Sequence, residues 1–350
     1  MHAKLKMKIC IIGAGWFGCY IGHELIKKNY SVDIYEKDND IFLNASGNNQ
    51  NRLHLGFHYP RSSNTRRLSI AGFRIFKKKF TRFSQKIDNN FYTVSNTSSS
   101  KIKFENYLSI IRSSKLKFKK ISLNKLSYIK NVEGIIKSDE ELILTEEVKR
   151  YYKAELKKNI FYKHHVSSVK REHKKYIINK RKYDLVINCT SFQFSREKIK
   201  NLIYEYCTIL LYRSLKKKHP AITIMDGPFF TLYPWDNKRN FGLYSVTNSR
   251  LLVDKDFNLL KRKVRNIVNK KFMHNVKSKI EEEYSCFYPL FKEKFRFVKF
   301  LNSYRTIISN KLDSRTCKVT VKNNFINIFS GKIDHIFYAF EQVEKCLKKF

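Results

Sequence analysis

Three glycines near the amino terminus, followed by an acidic residue, have the spacing needed to hold the phosphates of a dinucleotide. The segment from Gly13 to Gly18 reads G-x-G-x-x-G, and Glu36 follows at about the 20-residue distance of a dinucleotide-binding fingerprint. Gly13 permits a tight turn, Gly15 lets the backbone approach a pyrophosphate, and Gly18 lets the next helix pack closely. Glu36 would accept hydrogen bonds from ribose hydroxyls and repel a 2′-phosphate. The pattern therefore predicts a site for NAD or FAD rather than NADP.

For this chemistry, the glycines must lie between a strand and a helix. Lys8–Ile12 is a short apolar run typical of a buried parallel strand, and a helix-like stretch continues from the glycines to Asn29. Val32–Tyr35 forms a second strand-like run that ends at Glu36. The amino terminus of the helix would direct N–H groups and a partial positive charge at the phosphates. The sequence thus predicts a Rossmann-like βαβ unit.

A polar loop after the second strand carries further reactive side chains. Asn44–Ser62 includes Arg52, His54 and His58, and its glycines make it unlike the crossover helix of a plain nicotinamide-binding domain. An even number of positions separates the two histidines, so an extended chain would place both on one face. A structural role is the alternative for each histidine. A salt link far from substrate is the alternative for Arg52.

The loop and three later passages resemble the FAD-dependent oxidoreductases of the D-amino-acid oxidase and glycine oxidase superfamily, in which a Ser/Asn-rich loop wraps the FAD pyrophosphate. The first later passage is Glu147–Thr190, which ends in D-x-V-I-N-C-T and has Ser191 in place of the usual glycine. The second consists of Met225–Trp235 and Gly242–Val246, which look like substrate-domain strands. The third is Phe325–Asp334, a strand and a glycine turn before a helix that runs to Lys349. The similarity looks closest to a little-characterised bacterial branch.

This resemblance implies FAD as the cofactor, bound without a covalent link, and an α/β fold. The fold would be a Rossmann-like, glutathione-reductase-like FAD-binding domain over residues 1–80, 139–200 and 299–350, with an inserted, discontinuous α+β substrate domain over residues 81–138 and 201–298. The last helix would point its amino terminus at the flavin, and Lys332 would lie there or in solvent. The cofactor-binding residues expected are Gly13, Gly15, Trp16, Phe17, Gly18, Glu36, Lys37, Ser46, Asn48, Arg52, Val166, Thr190, Gly331, Lys332 and Ile333.

Arg52, His54 and Arg305 are the predicted catalytic residues, lining the cavity that faces the flavin ring. The expected reaction oxidises a small amine, amino acid, hydroxy acid or sugar derivative by hydride transfer to flavin N5, with the redox step carried by the cofactor. A buried guanidinium needs an anionic partner, which we expect to be the substrate or the reduced flavin. Tyr233 and Tyr244 form the alternative site, although such residues more often pack a sheet face.

The formal charge of +41 is a poor guide to function. Lys and Arg number 71 against 30 Asp and Glu, but the lysines are scattered and no nucleic-acid-binding motif occurs. We therefore expect a small-molecule substrate and no specific nucleic acid, with weak electrostatic attraction to an anionic membrane surface still open. The oligomeric state is also open. No run of 18 apolar residues occurs, and the seven cysteines never form C-x-x-C. The expectation is a cytoplasmic protein with reduced thiols and no metal site.

Two other functions are compatible with the same motifs. One is a redox-neutral flavoenzyme similar to UDP-galactopyranose mutase, which shares the cofactor domain and a glycine-basic turn before a helix. The other is a non-enzymatic basic binding protein on a degenerate Rossmann scaffold. The intact glycines and Glu36 weigh against the second alternative, since an inactive site need not keep them.

Overall fold

The computed structural model describes residues 7–194, 201–227, 229–309 and 315–349. Within these ranges the strands are β1 Lys8–Ile12, β2 Ser31–Tyr35, β3 Arg52–Leu53, β4 Ser84–Lys86, β5 Asn90–Ser95, β6 Lys119–Ile121, β7 Val132–Lys137, β8 Glu141–Ile143, β9 Ile160–Phe161, β10 Lys170–Glu172, β11 Lys175–Ile178, β12 Arg181–Tyr183, β13 Leu185–Asn188, β14 Leu202–Ser214, β15 Ala221–Met225, β16 Phe230–Pro234, β17 Asn240–Ser245, β18 Arg250–Asp254, β19 Phe295–Ile308, β20 Lys318–Lys322 and β21 Phe325–Phe329. The α-helices are α1 Trp16–Lys27, α2 Ser63–Lys79, α3 Phe104–Ser113, α4 Thr145–Glu155, α5 Phe257–Ile267, α6 Lys270–Ser285, α7 Phe291–Lys294 and α8 Ile336–Leu347. Short 3-10 turns cover Thr81–Phe83, Leu123–Leu126 and Ile333–His335.

The chain divides into two compact units, each built from separated segments. The first unit contains Met1–Gly47, Glu146–Leu202 and Arg315–Phe350, and the second contains Asn48–Thr145 and Ile203–Ser314. The domain boundaries expected from the sequence differ, because they assigned residues 48–80, 139–145 and 299–314 to the cofactor domain, whereas these segments belong to the second unit. The expected boundary at 200 falls within 195–200, outside the described residues. The domain division therefore stays a prediction.

The first unit is built on a six-stranded sheet in the order β20-β21-β13-β1-β2-β9. The central strands are parallel and apolar, as expected for a sheet covered on both faces, and β20 is antiparallel at the edge. Helix α1 packs so closely on β2 that a Cβ at Gly22 would lie 2.7 Å from Ile34 Cδ1. Because β1, β2, β13 and β21 are parallel, their carboxyl ends meet at one edge, where such sheets bind ligands.

The second unit is built on a larger sheet in the order β18-β14-β17-β16-β15-β5-β7-β6, to which β19 adds beside β14. Strands β14 to β17 pair in antiparallel fashion, whereas β15 and β5 are parallel. A small sheet, β3-β8-β4, completes the unit. Helix α6 buries Ile280 and Tyr284 in an aromatic core with Phe230 and Phe287. This mixture of helices and mainly antiparallel strands is the α+β arrangement predicted for the inserted domain.

Several expected elements differ in detail. Residues 164–169, which follow β9 in the passage that resembles the flavoproteins, have no regular secondary structure, although Val166 is buried. The last helix begins at Ile336 after a 3-10 turn and ends at Leu347, short of the expected Lys349. All seven cysteines are free thiols. Among the helices of the described ranges, we find none with the length and apolarity that a membrane span requires.

Candidate active site

The glycine turn between β1 and α1 has the geometry that a phosphate cradle needs. Gly13 has a φ of +97°, a left-handed conformation that favours glycine, and its N–H donates to the Tyr35 carbonyl at 2.8 Å. A Cβ at Gly18 would overlap the Gly13 carbonyl oxygen, so only glycine lets the helix start this close to the turn. A Cβ at Gly15 would lie 2.6 Å from Ser46 Oγ. Helix α1 also carries no acidic residue in its first turn, so its amino terminus suits an anion.

Glu36 lies immediately after β2, beside this turn. Its carboxylate accepts the N–H of Ala14 at 2.8 Å and that of Asp38 at 3.1 Å. Burial raises the pKa of Glu36 above its ordinary value, while the two N–H groups act in the opposite direction. Each carboxylate oxygen has two lone pairs, so Glu36 can still accept ribose hydroxyls. Lys37 next to it is exposed.

Ser46 joins the polar loop to the start of α1. Its hydroxyl accepts the backbone N–H of Trp16 at 3.0 Å, and its carbonyl accepts the indole N–H of Trp16 at 3.2 Å. The Trp16 ring stacks on Phe42 with ring centroids 5.1 Å apart, while Phe17 is half-buried. The structure thus brings Ser46 to the glycine turn, as the sequence predicted.

Thr190 follows β13 and lies on the other side of the turn, where a Cβ at Gly13 would meet its Cγ2 at 3.6 Å. Ser191 has a φ of +52°, so it adopts a left-handed conformation that glycine, the residue usual at this position, would favour. Gly331 follows β21 at the same sheet edge and is exposed, with open space where a Cβ would stand. Lys332 is buried, so its expected alternative position in solvent is wrong. Ile333 begins the 3-10 turn before α8.

Of the remaining predicted cofactor residues, Val166 lies in the first unit, and Asn48 and Arg52 lie in the second. Val166 packs in a cluster with Ile12 and Tyr35 of the first unit. Asn48 belongs to the second unit, where its amide donates to the Asn302 carbonyl at 2.7 Å. Arg52 also belongs to the second unit. Their roles in cofactor binding stay predictions.

Arg52 forms the centre of a buried polar cluster in the second unit. Its guanidinium donates to the Tyr92 hydroxyl at 2.5 Å and to Thr223 Oγ1 at 2.9 Å, and it lies 3.8 Å from the centroid of the Tyr233 ring. Strand pairing brings these partners together, since Thr223 of β15 faces Tyr92 of β5 in parallel register. Burial alone would lower the pKa of Arg52. The nearby tyrosines and Glu140 raise it by more than burial lowers it, so the net pKa lies above its ordinary value and the guanidinium keeps its charge.

Glu140, which is not among the site residues expected from the sequence, supplies the negative charge of this cluster. It is fully buried, and its Oε2 lies 3.5 Å from Arg52 and accepts the Tyr92 hydroxyl at 2.5 Å. Its Oε1 accepts the Leu55 N–H at 2.8 Å. The partner that we expected substrate or reduced flavin to provide for Arg52 is therefore present in the chain itself. That expectation is corrected: Arg52 has an internal counter-ion.

His54 and His58 come together through a turn rather than along an extended chain. Gly56 between them has a φ of +106°, and their rings meet with centroids 4.9 Å apart. His54 Nδ1 lies 3.6 Å from Glu140 Oε1, whereas His58 Nδ1 lies 2.7 Å from the Tyr92 hydroxyl. The two histidine side chains do lie side by side, as predicted, but a turn at Gly56 brings them together rather than an extended strand.

The two histidines and Glu140 lie close enough to ligate a metal ion, with one ligand atom from each within 4.8 Å of the others. The Arg52 guanidinium stands in the same group, 3.2 Å from His58 Nδ1. A positive charge at that distance opposes a divalent cation. Glu140 also already receives N–H and O–H donors. The arrangement therefore suits a hydrogen-bonded cluster better than a metal site.

Arg305 belongs to a different cluster, between β14 and β19. Its Nε donates to Glu205 at 2.5 Å, and Arg250 approaches the same buried carboxylate at 2.6 Å. Its guanidinium also lies 5.7 Å from the centroid of the Tyr244 ring. The Arg305 and Arg250 side chains are 34% and 40% exposed, so two partly accessible cations share one buried anion. This cluster keeps one surplus positive charge, which the Arg52 cluster does not.

A cavity of about 620 Å³ opens in the second unit near the histidines. Its lining includes Phe229, whose ring lies 4.9 Å from that of His58, and the ion pair between Arg61 and Asp226. Pro228 of the D-G-P-F segment lies outside the described residues. The space is large enough for a small molecule.

Comparison with known proteins agrees with this geometry. The sequence profile described as DAO: FAD dependent oxidoreductase matches residues 8–311. The FAD-dependent monooxygenase FPY4 of Fusarium mangiferae is 32% identical over 333 residues, which make up 95% of this chain and 89% of that protein.

Two solved structures show the same fold. The L-alpha-glycerophosphate oxidase from Mycoplasma pneumoniae, with FAD bound, gives a TM-score of 0.75 at 14% identity and covers 98% of this chain and 95% of that one. The glycine oxidase from Geobacillus kaustophilus gives a TM-score of 0.67 at 11% identity over 95% of this chain and 91% of that one. These likenesses confirm the predicted fold class.

Proposed function

The chain belongs to the DAO family of FAD-dependent oxidoreductases, and from that premise we propose that it oxidises a small polar or anionic substrate by hydride transfer. FAD is the cofactor and the protein is an enzyme, so the non-enzymatic alternative does not hold. The family also favours net oxidation over the redox-neutral mutase alternative. The bacterial branch stays a prediction, since the relative named above comes from a fungus.

We propose that the first unit holds FAD without a covalent link. The glycine turn and the amino terminus of α1 would bind the pyrophosphate, and Glu36 would bind the ribose. The close packing at Gly15 supports this assignment, because a side chain there would meet Ser46 Oγ, whereas glycine leaves the backbone accessible to a phosphate. When bound, the cofactor supplies the hydride acceptor for the reaction.

The second unit would bind the substrate. The surplus charge shared by Arg305 and Arg250 suits an anionic substrate group, because both guanidiniums are partly exposed and, within the described ranges, Glu205 is the one carboxylate paired with them. Arg52 would act differently from the original expectation, by holding the buried hydrogen-bond cluster in place. His54 would take part in the same cluster through Glu140. The surplus charge at Arg305 is the observation that carries the choice of a polar or anionic substrate.

The first test is substrate-dependent bleaching of the flavin. Purified protein is expected to be yellow, and one class among amines, amino acids, hydroxy acids and sugar derivatives is expected to bleach it anaerobically without added nicotinamide. Visible absorbance after anaerobic mixing measures the reduction. A colourless protein that FAD does not reconstitute, or a flavin that no such class reduces, would contradict the proposal.

A monooxygenase is the second candidate, because FPY4 carries that name and is 32% identical over 95% of the chain. The same experiment separates the two functions. An oxidase or dehydrogenase needs only its substrate to bleach the flavin, whereas a monooxygenase that uses an external reductant would bleach on addition of NADH or NADPH. Incorporation of ¹⁸O from labelled O₂ into the product would then establish oxygen transfer.

The positive surface charge is proposed to have no specific nucleic-acid partner. We expect binding to DNA or RNA to be weak at physiological salt and to fall steeply as salt is added, because it would come from counter-ion release alone. A filter-binding titration at several salt concentrations measures this slope. Submicromolar binding selective for one nucleic-acid structure would contradict it. A cytoplasmic location and a weak attraction to anionic membranes also stay predictions.

A further inference from the structure

We propose that Glu140, acting through Tyr92, fixes the tautomer of His58 and leaves His58 Nε2 as the proton acceptor in substrate oxidation. The assignment of His58 rests on the proposed function, because it names the base of that reaction. Glu140 and Tyr92 would be positioning residues, since they act through His58. All three residues lie in the second unit.

The argument begins with the single proton of the Tyr92 hydroxyl. This oxygen lies 2.5 Å from Glu140 Oε2 and 2.7 Å from His58 Nδ1, and both distances require a hydrogen between the atoms. Burial and Glu140 raise the pKa of Tyr92 well above its ordinary value, and Arg52 only partly opposes them, so the hydroxyl keeps its proton. One phenol proton cannot serve both contacts.

Glu140 decides where that proton goes. A carboxylate paired with Arg52 can only accept, so the short contact between Tyr92 and Glu140 must carry the tyrosine proton. The contact between Tyr92 and His58 must then carry a proton from His58 Nδ1. A neutral imidazole protonated at Nδ1 has its lone pair on Nε2. The buried carboxylate therefore selects the tautomer of His58 through Tyr92.

Arg52 is consistent with this assignment. Its NH1 group donates to the same Tyr92 oxygen at 2.5 Å, so that oxygen accepts two hydrogen bonds and donates one. Arg52 NH1 also lies 3.2 Å from His58 Nδ1, a contact in which only the guanidinium could donate. The contact between Nδ1 and the Tyr92 hydroxyl is shorter, at 2.7 Å, and we assign the Nδ1 proton to it. Among the described residues, the titratable rings of His54, Tyr59 and Tyr92 pack on His58.

The tautomer matters because substrate oxidation releases a proton. Converting a CH–NH or CH–OH unit to C=N or C=O removes one hydride, which FAD accepts, and one proton, which needs a base. His58 is half-buried and packs on Phe229, which lines the 620 Å³ cavity. With its lone pair on Nε2, the ring could take that proton. With the opposite tautomer it could not.

The test reads the tautomer directly, without turnover. In the FAD-loaded full chain labelled with ¹⁵N-histidine, two-bond ¹H–¹⁵N spectra distinguish Nδ1–H from Nε2–H, and His58→Asn identifies the His58 signals. We expect the Nδ1–H form in the wild type and a shift towards Nε2–H in Tyr92→Phe. Tyr92→Phe keeps the buried pair of Glu140 and Arg52, so it should fold even if Glu140→Gln does not. Tyr107→Phe is the matched control, because that buried hydroxyl donates to the Phe57 carbonyl instead.

Two outcomes would overturn the proposal: an Nε2–H tautomer in the wild type, or a His58 signal that Tyr92→Phe leaves unchanged. On an identified substrate, His58→Asn should retain FAD and reduce the rate of anaerobic flavin reduction by about 100-fold or more. A wild-type rate in that variant would overturn the base assignment while leaving the proposed oxidation intact. If no substrate reduces the wild-type flavin, the proposed function fails, and the spectra still report whether the tautomer is held.

Discussion

A Gly15→Val protein is expected to fold and to be purified without flavin. A side chain at this position would occupy the space beside Ser46, since even a Cβ would lie 2.6 Å from Ser46 Oγ. In the proposed FAD site, the pyrophosphate would approach the backbone here, at the start of α1. We expect the affinity for FAD to fall at least about 100-fold, or about 2.7 kcal/mol. Visible absorbance per protein after purification and a calorimetric titration of the apoprotein with FAD measure the loss.

Two smaller substitutions distinguish a direct loss of FAD binding from a local disturbance of the fold around Ser46. Gly15→Ala would displace Ser46, and combining it with Ser46→Ala removes the oxygen that the new methyl group would meet, leaving the Ser46 Cβ at 3.6 Å. The double variant should therefore recover the unfolding free energy lost by Gly15→Ala but not the FAD affinity. Ser46→Ala alone should still bind FAD. If the double variant bound FAD like Ser46→Ala, the backbone at Gly15 would not be the phosphate site.

The first unit follows from short-range sequence signals. Lys8–Ile12 coincides with β1, and the second predicted strand, Val32–Tyr35, differs from β2 by one residue. These elements are specified locally, because a short apolar run favours a buried strand and a glycine favours a turn whatever the rest of the chain contains. The position of Thr190 beside Gly13 could also be expected, since parallel strands place their carboxyl ends together. The left-handed Ser191 could not, because its side chain does not favour that conformation.

The buried cluster around Arg52 was not predictable in the same way. Its partners come from strands β5 and β15 of the large sheet and from the residue before β8, which pairs with β3 in the small sheet, so strand registers in two sheets bring them together. Tyr92 reads in the sequence as an ordinary strand tyrosine. Glu140 offered one signal: it lies in the acidic run Asp139–Glu141 of a chain with only 30 acidic residues, between two short apolar strands. A carboxylate there needs a buried cation, and Arg52 was the available candidate.

Removing Arg52 is expected to cost stability and turnover together. Arg52→Met would leave Glu140 buried without its counter-ion, which typically costs 3–5 kcal/mol of unfolding free energy. We expect urea unfolding to show a loss of about that size and turnover to fall by about 100-fold or more, because the cluster that positions His58 is disturbed. Lys120→Ala is the matched control, since the pair of Lys120 and Glu105 is exposed and should contribute at most about 1 kcal/mol.

The double variant Arg52→Met with Glu140→Gln distinguishes charge balance from catalytic positioning. Removing both charges leaves no uncompensated ion, so much of the unfolding free energy lost by Arg52→Met should return. Turnover should not return, because a neutral amide at position 140 no longer requires the Tyr92 proton and the tautomer of His58 is no longer fixed. Recovery of wild-type turnover along with stability would mean that the cluster only holds the fold. Recovery of stability alone would tie the buried pair to the reaction, because the same two side chains would then be dispensable for folding and required for chemistry.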